Sequence, residues 1–211
     1  MRITLRCSLL VLIVAVLGAQ TPPGPVTIEN KLDTAQARVY VATLRPHMPV
    51  PSPNGHATNR VLIYLDNGAM TLQVGGEKVQ NIDFHRGQVR WRAASGAYVA
   101  RNTGDVPIRI LEIDLKVQPA GPAPVTKLDP TITDAKHYKV EFENEQVRIL
   151  RIHYDAHDKG ELHEHMLNRV VLYLNNQTGG KADEVRIAGA ATHTEENAGA
   201  EAADRIAVEL K

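Results

Sequence analysis

From residue 26 to the C-terminus the chain reads as short apolar runs, alternating or continuous, separated by turn residues. Residues 38–44 (RVYVATL) are rich in β-branched and aromatic side chains, the composition of a strand. Residues 60–65 (RVLIYL) are continuously apolar after Arg60 and read as a buried strand. Residues 108–117 (IRILEIDLKV) alternate. Ile108, Ile110, Glu112 and Asp114 share one face; Arg109, Leu111, Ile113 and Leu115 share the other. Shorter runs at 70–74, 80–84, 88–91 and 98–101 stand at hairpin spacing, and Asp66-Asn67-Gly68 is a hairpin turn. Residues 45–55 carry Pro46, Pro49, Pro51 and Pro53 and are expected to form a loop. No segment in this region keeps a long helical apolar period, so the predicted fold class is all-β.

Residues 118–134 hold Pro119, Pro122, Pro124 and Pro130 and read as a linker. Beyond it the strand pattern starts again as a copy. Residues 59–67 (NRVLIYLDN) and 168–176 (NRVVLYLNN) are identical at six of nine positions. Gln36-Ala37-Arg38 matches Gln146-Val147-Arg148, and His47 matches His157. Asn102-Thr103-Gly104 matches Asn197-Ala198-Gly199, and IRILEIDLK matches DRIAVELK at the ends of the two copies. Matches in this order and density mean a duplicated β domain, with one repeat at 26–117 and a second at 135–211. The numbering offset is 110 at Gln36, 109 at Asn59 and 95 at Asn102. The second copy is therefore 109 − 95 = 14 residues shorter, a loss of about one hairpin expected between Leu174 and Asp183.

Ahead of the strands, residues 1–19 have the three-part layout of a secretory signal peptide: Arg2 and Arg6, an apolar run at 9–17, then Gly18 and Ala19. Cleavage is expected after Ala19 or Gln20. An uncleaved membrane anchor is the alternative, although the run is short for a permanent span. The expected location is periplasmic or secreted. Cleavage removes two of the 24 basic residues, leaving 22 − 24 = −2, and it removes Cys7, the only cysteine. The exported form would hold no disulfide and would rely on its core, with help from a metal. A balanced charge and 4% aromatic residues argue against a nucleic-acid partner.

The chemistry concentrates in residues 160–174 (GELHEHMLNRVVLYL). His163 and His165 stand two apart and would project from one strand face, a good start for a transition-metal site. Two surface histidines on a polar strand is the plain alternative. In the second copy His193 lies four residues before Asn197.

At this point the chain resembles the cupin superfamily, small jelly-roll β-barrels. It does so over nearly all of the chain after the leader, as a bicupin. The family's first motif carries His-x-His and usually a Glu a few residues on. The second runs from Gly-Asp through a Pro-x-Gly turn to His-x-x-x-Asn. Here His163-Glu164-His165 and His193-x-x-x-Asn197 fit, with Ala182-Asp183 in place of Gly-Asp and Ala188-Gly189-Ala190 in place of the turn. The resemblance implies that His163, His165 and His193 hold a divalent transition metal, one of Fe, Mn, Zn, Cu or Ni. The Glu position falls on Arg169, and on Arg60 in the first copy; arginine stays protonated and cannot ligate. The corresponding ligand positions of the first copy are Asn54, His56 and Tyr98, so that copy is expected to be structural or a metal-free pocket.

Arg60 and Arg169 are expected either to pair with a carboxylate at the barrel rim or, for Arg169, to bind an anionic substrate beside the metal. Glu195 and Glu196 are the nearby acids, either of which could serve as a base or pair with Arg169. Glu164 reads as surface, and His85 and His137 show no partner. His153 points to no site, and His47 and His157 read as turn residues. Two function classes follow. One is a metal-dependent enzyme, dioxygenase- or isomerase-like, on a small polar substrate. The other is a non-catalytic exported protein that binds a small ligand or has a structural role. A homodimer that covers exposed edge strands is the expected assembly.

Overall fold

The computed structural model describes residues 24–118, 121–122 and 124–211, so the leader at 1–19 lies outside the described residues. The first repeat contributes nine strands. They are β1 (Val26–Asp33), β2 (Ala37–Leu44), β3 (Pro49–Ser52), β4 (Arg60–Tyr64), β5 (Gly68–Val74), β6 (Gln80–Phe84), β7 (Val89–Arg92), β8 (Tyr98–Asn102) and β9 (Ile108–Leu115). A one-turn helix, α1 (Pro130–Thr133), precedes the second set. That set is β10 (Tyr138–Glu143), β11 (Val147–Tyr154), β12 (His163–His165), β13 (Arg169–Tyr173), β14 (Val185–Ala188), β15 (Ala191–His193) and β16 (Ala203–Leu210). Among the described residues no helix is long and apolar enough to cross a membrane.

Each repeat builds a five-stranded antiparallel sheet, ordered β1-β2-β9-β4-β7 and β10-β11-β16-β13-β14. The two orders are the same motif twice. β4 and β13 lie inside these sheets, which is why their sequences are almost continuously apolar: all of β4 is buried. The second layer is a four-stranded sheet, β3-β8-β5-β6, in the first repeat and only β12-β15 in the second. The hairpin β5-β6 has no counterpart between β13 and β14, as the shorter second copy requires.

The proline-rich stretch 45–55 departs from expectation. It contains β3, which pairs with β8 through Pro49↔Arg101 and Pro51↔Val99. β3 is an edge strand, where a residue with no N–H can point its imino side away from the ladder. The linker also departs: it contains α1, capped by the Asp129 carboxylate, which accepts from Thr131 N–H.

The alternation along β9 has a physical meaning. Leu111, Ile113 and Leu115 join Val61, Ile63, Ile149, Leu172 and Val208 in a core shared by the two large sheets. Ile108 and Ile110 face the interior of the first barrel. Twelve buried hydrophobic residues fill that interior, against six in the second barrel. The missing hairpin explains the difference, and buried polar side chains take up part of the space. Trp91 of β7 stacks on Phe142 of β10, tying the repeats together at 5.8 Å between ring centroids.

The matched residues of the sequence repeat meet across this interface. Asn59 Nδ2 donates to Gln146 Oε1 at 2.7 Å, and Asn168 Nδ2 donates to Gln36 Oε1 at 2.7 Å. The Asn-x-Gly turns are equally alike. Asn102 donates to the carbonyls of Leu44 and Val106, and Asn197 to those of Asp155 and Glu201. His47 and His157 both adopt positive φ, at 56° and 57°.

Candidate metal centre

Residues 160–174 form two strands, β12 and β13, rather than one. The pairing of β12 with β15 sets His163 directly opposite His193, with Glu164 opposite Thr192 and His165 opposite Ala191. Residues directly opposite on neighbouring strands share a face, and so do residues two apart on one strand. These two rules bring the three imidazoles together. Their candidate ligand nitrogens all lie within 4.8 Å of one another. His163 Nε2 and His193 Nε2 are 3.1 Å apart.

The hydrogen bonds behind the rings fix which nitrogen faces inward. His163 Nδ1 lies 2.9 Å from the Glu161 carbonyl, which can only accept, so Nδ1 carries the proton and Nε2 of the neutral ring presents its lone pair. His165 Nδ1 lies 2.9 Å from Glu209 Oε1, which fixes the same tautomer. This is the outer-shell arrangement that orients metal-binding imidazoles. Burial, followed by the neighbouring imidazoles, pushes the His193 value down to about 4. Burial also lowers His165, against the opposing bond from Glu209. Both rings are thus held neutral, the form in which imidazole ligates. Three inward-facing imidazoles at this spacing, two of them with their Nε2 lone pairs already turned in, fit a transition metal bound at ~2.0–2.1 Å per nitrogen, with open positions left over.

Glu209 is the residue that the sequence reading did not single out. It is fully buried on β16, directly opposite Arg169 on β13 and Arg148 on β11. Arg148 Nε donates to its Oε2 at 2.6 Å. Burial works to raise the Glu209 carboxyl, but the bonds from His165 and Arg148 outweigh it and hold the group below the ordinary carboxylate value. The signal was present in the repeat, where Asp114 and Glu209 occupy the same place near the ends of β9 and β16.

Arg169 is buried, and its Nη1 donates to the Gly189 carbonyl at 2.6 Å. Among the described residues it forms no ion pair, so the expected rim pairing is not found. Nor does Glu195 or Glu196 supply one. Glu195 pairs instead with Arg205 and accepts from the Tyr138 hydroxyl at 2.8 Å, while Glu196 is exposed beside Lys159. In the first copy, Arg60 does approach a carboxylate: its Nε is 3.4 Å from Glu112.

Two further expectations need correction. Glu164 is half-buried beneath the linker, accepting from Thr126 at 2.6 Å. His137 is buried and well partnered. Its Nδ1 lies 2.5 Å from Asp134 and its Nε2 3.0 Å from Asp158, and its ring stacks on Tyr154 at 4.0 Å. Tyr154 donates to Asp134, whose Oδ2 is 3.8 Å from His163 Nδ1, so a buried polar network backs the first imidazole. Gly160 makes room for it, because a Cβ there would stand 2.3 Å from Asp134 Oδ2. His153 and His85 are exposed, and His153 pairs with Asp204.

The ligand positions of the first copy do not converge. Asn54 is exposed, whereas His56 and Tyr98 line a cavity in the first barrel. His56 lies instead near two acids of β9 that sequence spacing did not link to it, with Nε2 4.0 Å from Glu112 and Nδ1 3.7 Å from Asp114.

No family model matches the sequence, and no curated protein matches it. Solved structures do match the fold. AerE from Microcystis aeruginosa superposes with a TM-score of 0.66 at 9% identity, covering 91% of this chain and 95% of that one. A cupin 2 conserved barrel domain protein from Leptotrichia buccalis gives 0.57 at 12% identity, covering 91% and 92%. Oxalate decarboxylase from Bacillus subtilis, a protein with Mn(II) centres, gives 0.57 at 11% identity, covering 91% and 78%. With two five-stranded sheets back to back, each closed by a second layer, the chain has the cupin fold in its two-barrel, jelly-roll form.

Proposed function

We propose that the second barrel binds one divalent transition metal through His163, His165 and His193, and that the protein is an exported metal-dependent enzyme acting on a small polar substrate. The reading rests on one observation above all: the bonds from Glu161 and Glu209 turn the Nε2 lone pairs of His163 and His165 toward His193. Export rests on the leader-like composition of residues 1–19. When bound, the metal would supply Lewis-acid polarisation and a template for dioxygenase- or isomerase-type chemistry.

The chain's own residues would do the rest. Arg169 brings a buried cation beside the histidines, able to hold an anionic substrate group by charge-assisted hydrogen bonds. Tyr138 packs its ring 4.7 Å from His163 and keeps its hydroxyl proton, because burial and Glu195 push its ionisation far up. It stays a neutral hydroxyl whose one O–H is given to Glu195. Glu195 is held below the ordinary carboxylate value: burial works to raise it, but Arg205 and the Tyr138 hydroxyl outweigh burial, which makes it a weak base.

That last point favours a second reading, in which the same site binds a small anion without turning it over. Arg169 stands where the family places a fourth ligand, and Glu195 is tied up by two partners. Elemental analysis of the protein purified from its native compartment tests the shared premise. One metal per chain, lost in the His163→Ala, His193→Ala double variant, is the expected result. A protein that purifies metal-free and gains no thermal stability from Fe, Mn, Zn, Cu or Ni would overturn it. If metal is bound, turnover of small carboxylic and phenolic substrates separates enzyme from binding protein.

A further inference from the structure

The first barrel encloses a cavity of about 280 Å³ that the metal centre does not use. Its walls are apolar, with Leu44, Leu62, Met70, Leu72, Ala100 and Ile110 among them. Ile28, half exposed, lines it too and places part of its wall at the surface. One end is polar. Arg60 and Arg92, direct partners across β4 and β7, both face in, together with Tyr40, His56, Tyr64 and Glu112.

Several of these polar groups lack a hydrogen-bond partner, although Arg60 forms a 3.4 Å ion pair with Glu112. Arg60 is only 5% exposed, yet its Nε and Nη1 make no hydrogen bond. Tyr64 is fully buried and its hydroxyl makes none. Buried polar groups are almost always satisfied, and a guanidinium is the group least tolerant of an empty surround. The charges lining the cavity are two guanidiniums against one carboxylate. That carboxylate, Glu112, is already engaged by the Tyr40 hydroxyl at 3.0 Å. Among the described residues Arg92 has no ion-pair partner at all. A cation on His56, Glu112 and Asp114 would sit beside Arg60, whose Nε is 3.4 Å from Glu112, and be repelled by it.

We infer that the first barrel is a binding site for a compact monocarboxylate with an apolar body, its carboxylate held by Arg60 and Arg92 and its body lying among Leu72, Met70, Ala100 and Ile110. The chemistry follows from the two ends of the cavity. A planar guanidinium fork matches a carboxylate, and an aliphatic lining excludes a sugar or polyol. The volume sits at the small end of the ~300–1,000 Å³ range of ligand pockets, which limits the body to a medium chain or a single ring.

Titration calorimetry on the leaderless chain with octanoate tests this, with 1-octanol as the same body without charge and acetate as the charge without a body. Saturable binding of one octanoate per chain is expected, with octanol and acetate at least about tenfold weaker. Arg60→Gln should weaken octanoate by about 10–100-fold. Ala100→Phe, which fills the cavity and leaves Arg60 in place, should abolish binding. The His163→Ala, His193→Ala variant should bind octanoate as the parent does, which separates this site from Arg169 and the second barrel. Absence of saturation, octanol binding as tightly as octanoate, or a loss confined to the second-barrel variant would each overturn the proposal. So would one bound metal per chain in that double variant, removed by His56→Ala. If Arg60→Gln does not fold, the comparison of octanoate with octanol on the parent protein still decides.

Discussion

His165 Nδ1 lies 2.9 Å from Glu209 Oε1, and neither side chain is more than 2% exposed. The carboxylate cannot donate while ionised, so it sets the tautomer of the ring and turns Nε2 inward. Glu209→Gln keeps the shape and removes the charge. Metal affinity should fall by about 10–100-fold, as for other outer-shell partners of histidine ligands. Competition with a calibrated chelator measures it. An unchanged affinity would mean that His165 is not a ligand or that Glu209 does not orient it.

The metal-free protein should lose stability on mild acidification. The ordinary imidazole value is 6.5, and in the fold His193 is lowered to about 4. Between these values the unfolded chain binds more protons than the folded one. The contribution is therefore fully present above pH 6.5 and is lost as pH falls toward about 4. His165, also lowered, works in the same direction. Below 4.5, loss of the depressed carboxylates Glu209 and Glu195 adds to the fall. Thermal unfolding in chelator across this range should show a shallower slope for His193→Gln than for the parent. Parallel slopes would remove His193 from the account.

The two reciprocal amide bonds, Asn59 to Gln146 and Asn168 to Gln36, should both contribute, Asn59 the more because it is less exposed and also accepts from the Ala94 N–H. Each Asn→Ala change is expected to cost about 1 kcal/mol. Because the pairs share no member, their costs should add, while Asn59→Ala with Gln146→Ala should fall short of the sum. Denaturant titrations of the five variants needed are a direct check.

Leu111, fully buried in the core shared by the two sheets, is the place to test whether the repeats fold together. Leu111→Ala should destabilise by about 2–5 kcal/mol. Trp91, the only tryptophan, stacks across the interface on Phe142 and reports its integrity by fluorescence. Fluorescence and far-UV circular dichroism should give coincident transitions in parent and variant. Separated transitions would show that each barrel unfolds on its own.

Much of this was legible in the chain because strand grammar and duplication are local properties. Alternation in residues 108–115 predicted which side chains share a face, and the structure turns one face into the first barrel and the other toward the partner sheet. The copy of NRVLIYL at residues 168–174 predicted a second β domain, which the structure builds with the same strand order, and the numbering offset predicted the missing hairpin. His163 and His165 share a face by parity alone.

Other features depend on which strands become neighbours, and no local pattern encodes that. The register of β12 on β15 sets His193 opposite His163. Adjacency of β16 to both β11 and β13 turns Glu209 from one more acid on a strand into the buried partner of His165 and Arg148. His137 showed no partner in the sequence, yet Asp134, three residues before it at the end of α1, and Asp158, twenty-one residues on, both close on it. Strands, their faces and the existence of two copies are legible along the chain, because side-chain period and self-similarity are local properties. Which polar groups meet inside each barrel depends on how the strands come together in space. Hydrogen bonds and charge pairs act over a few ångströms in space, whatever their separation in sequence.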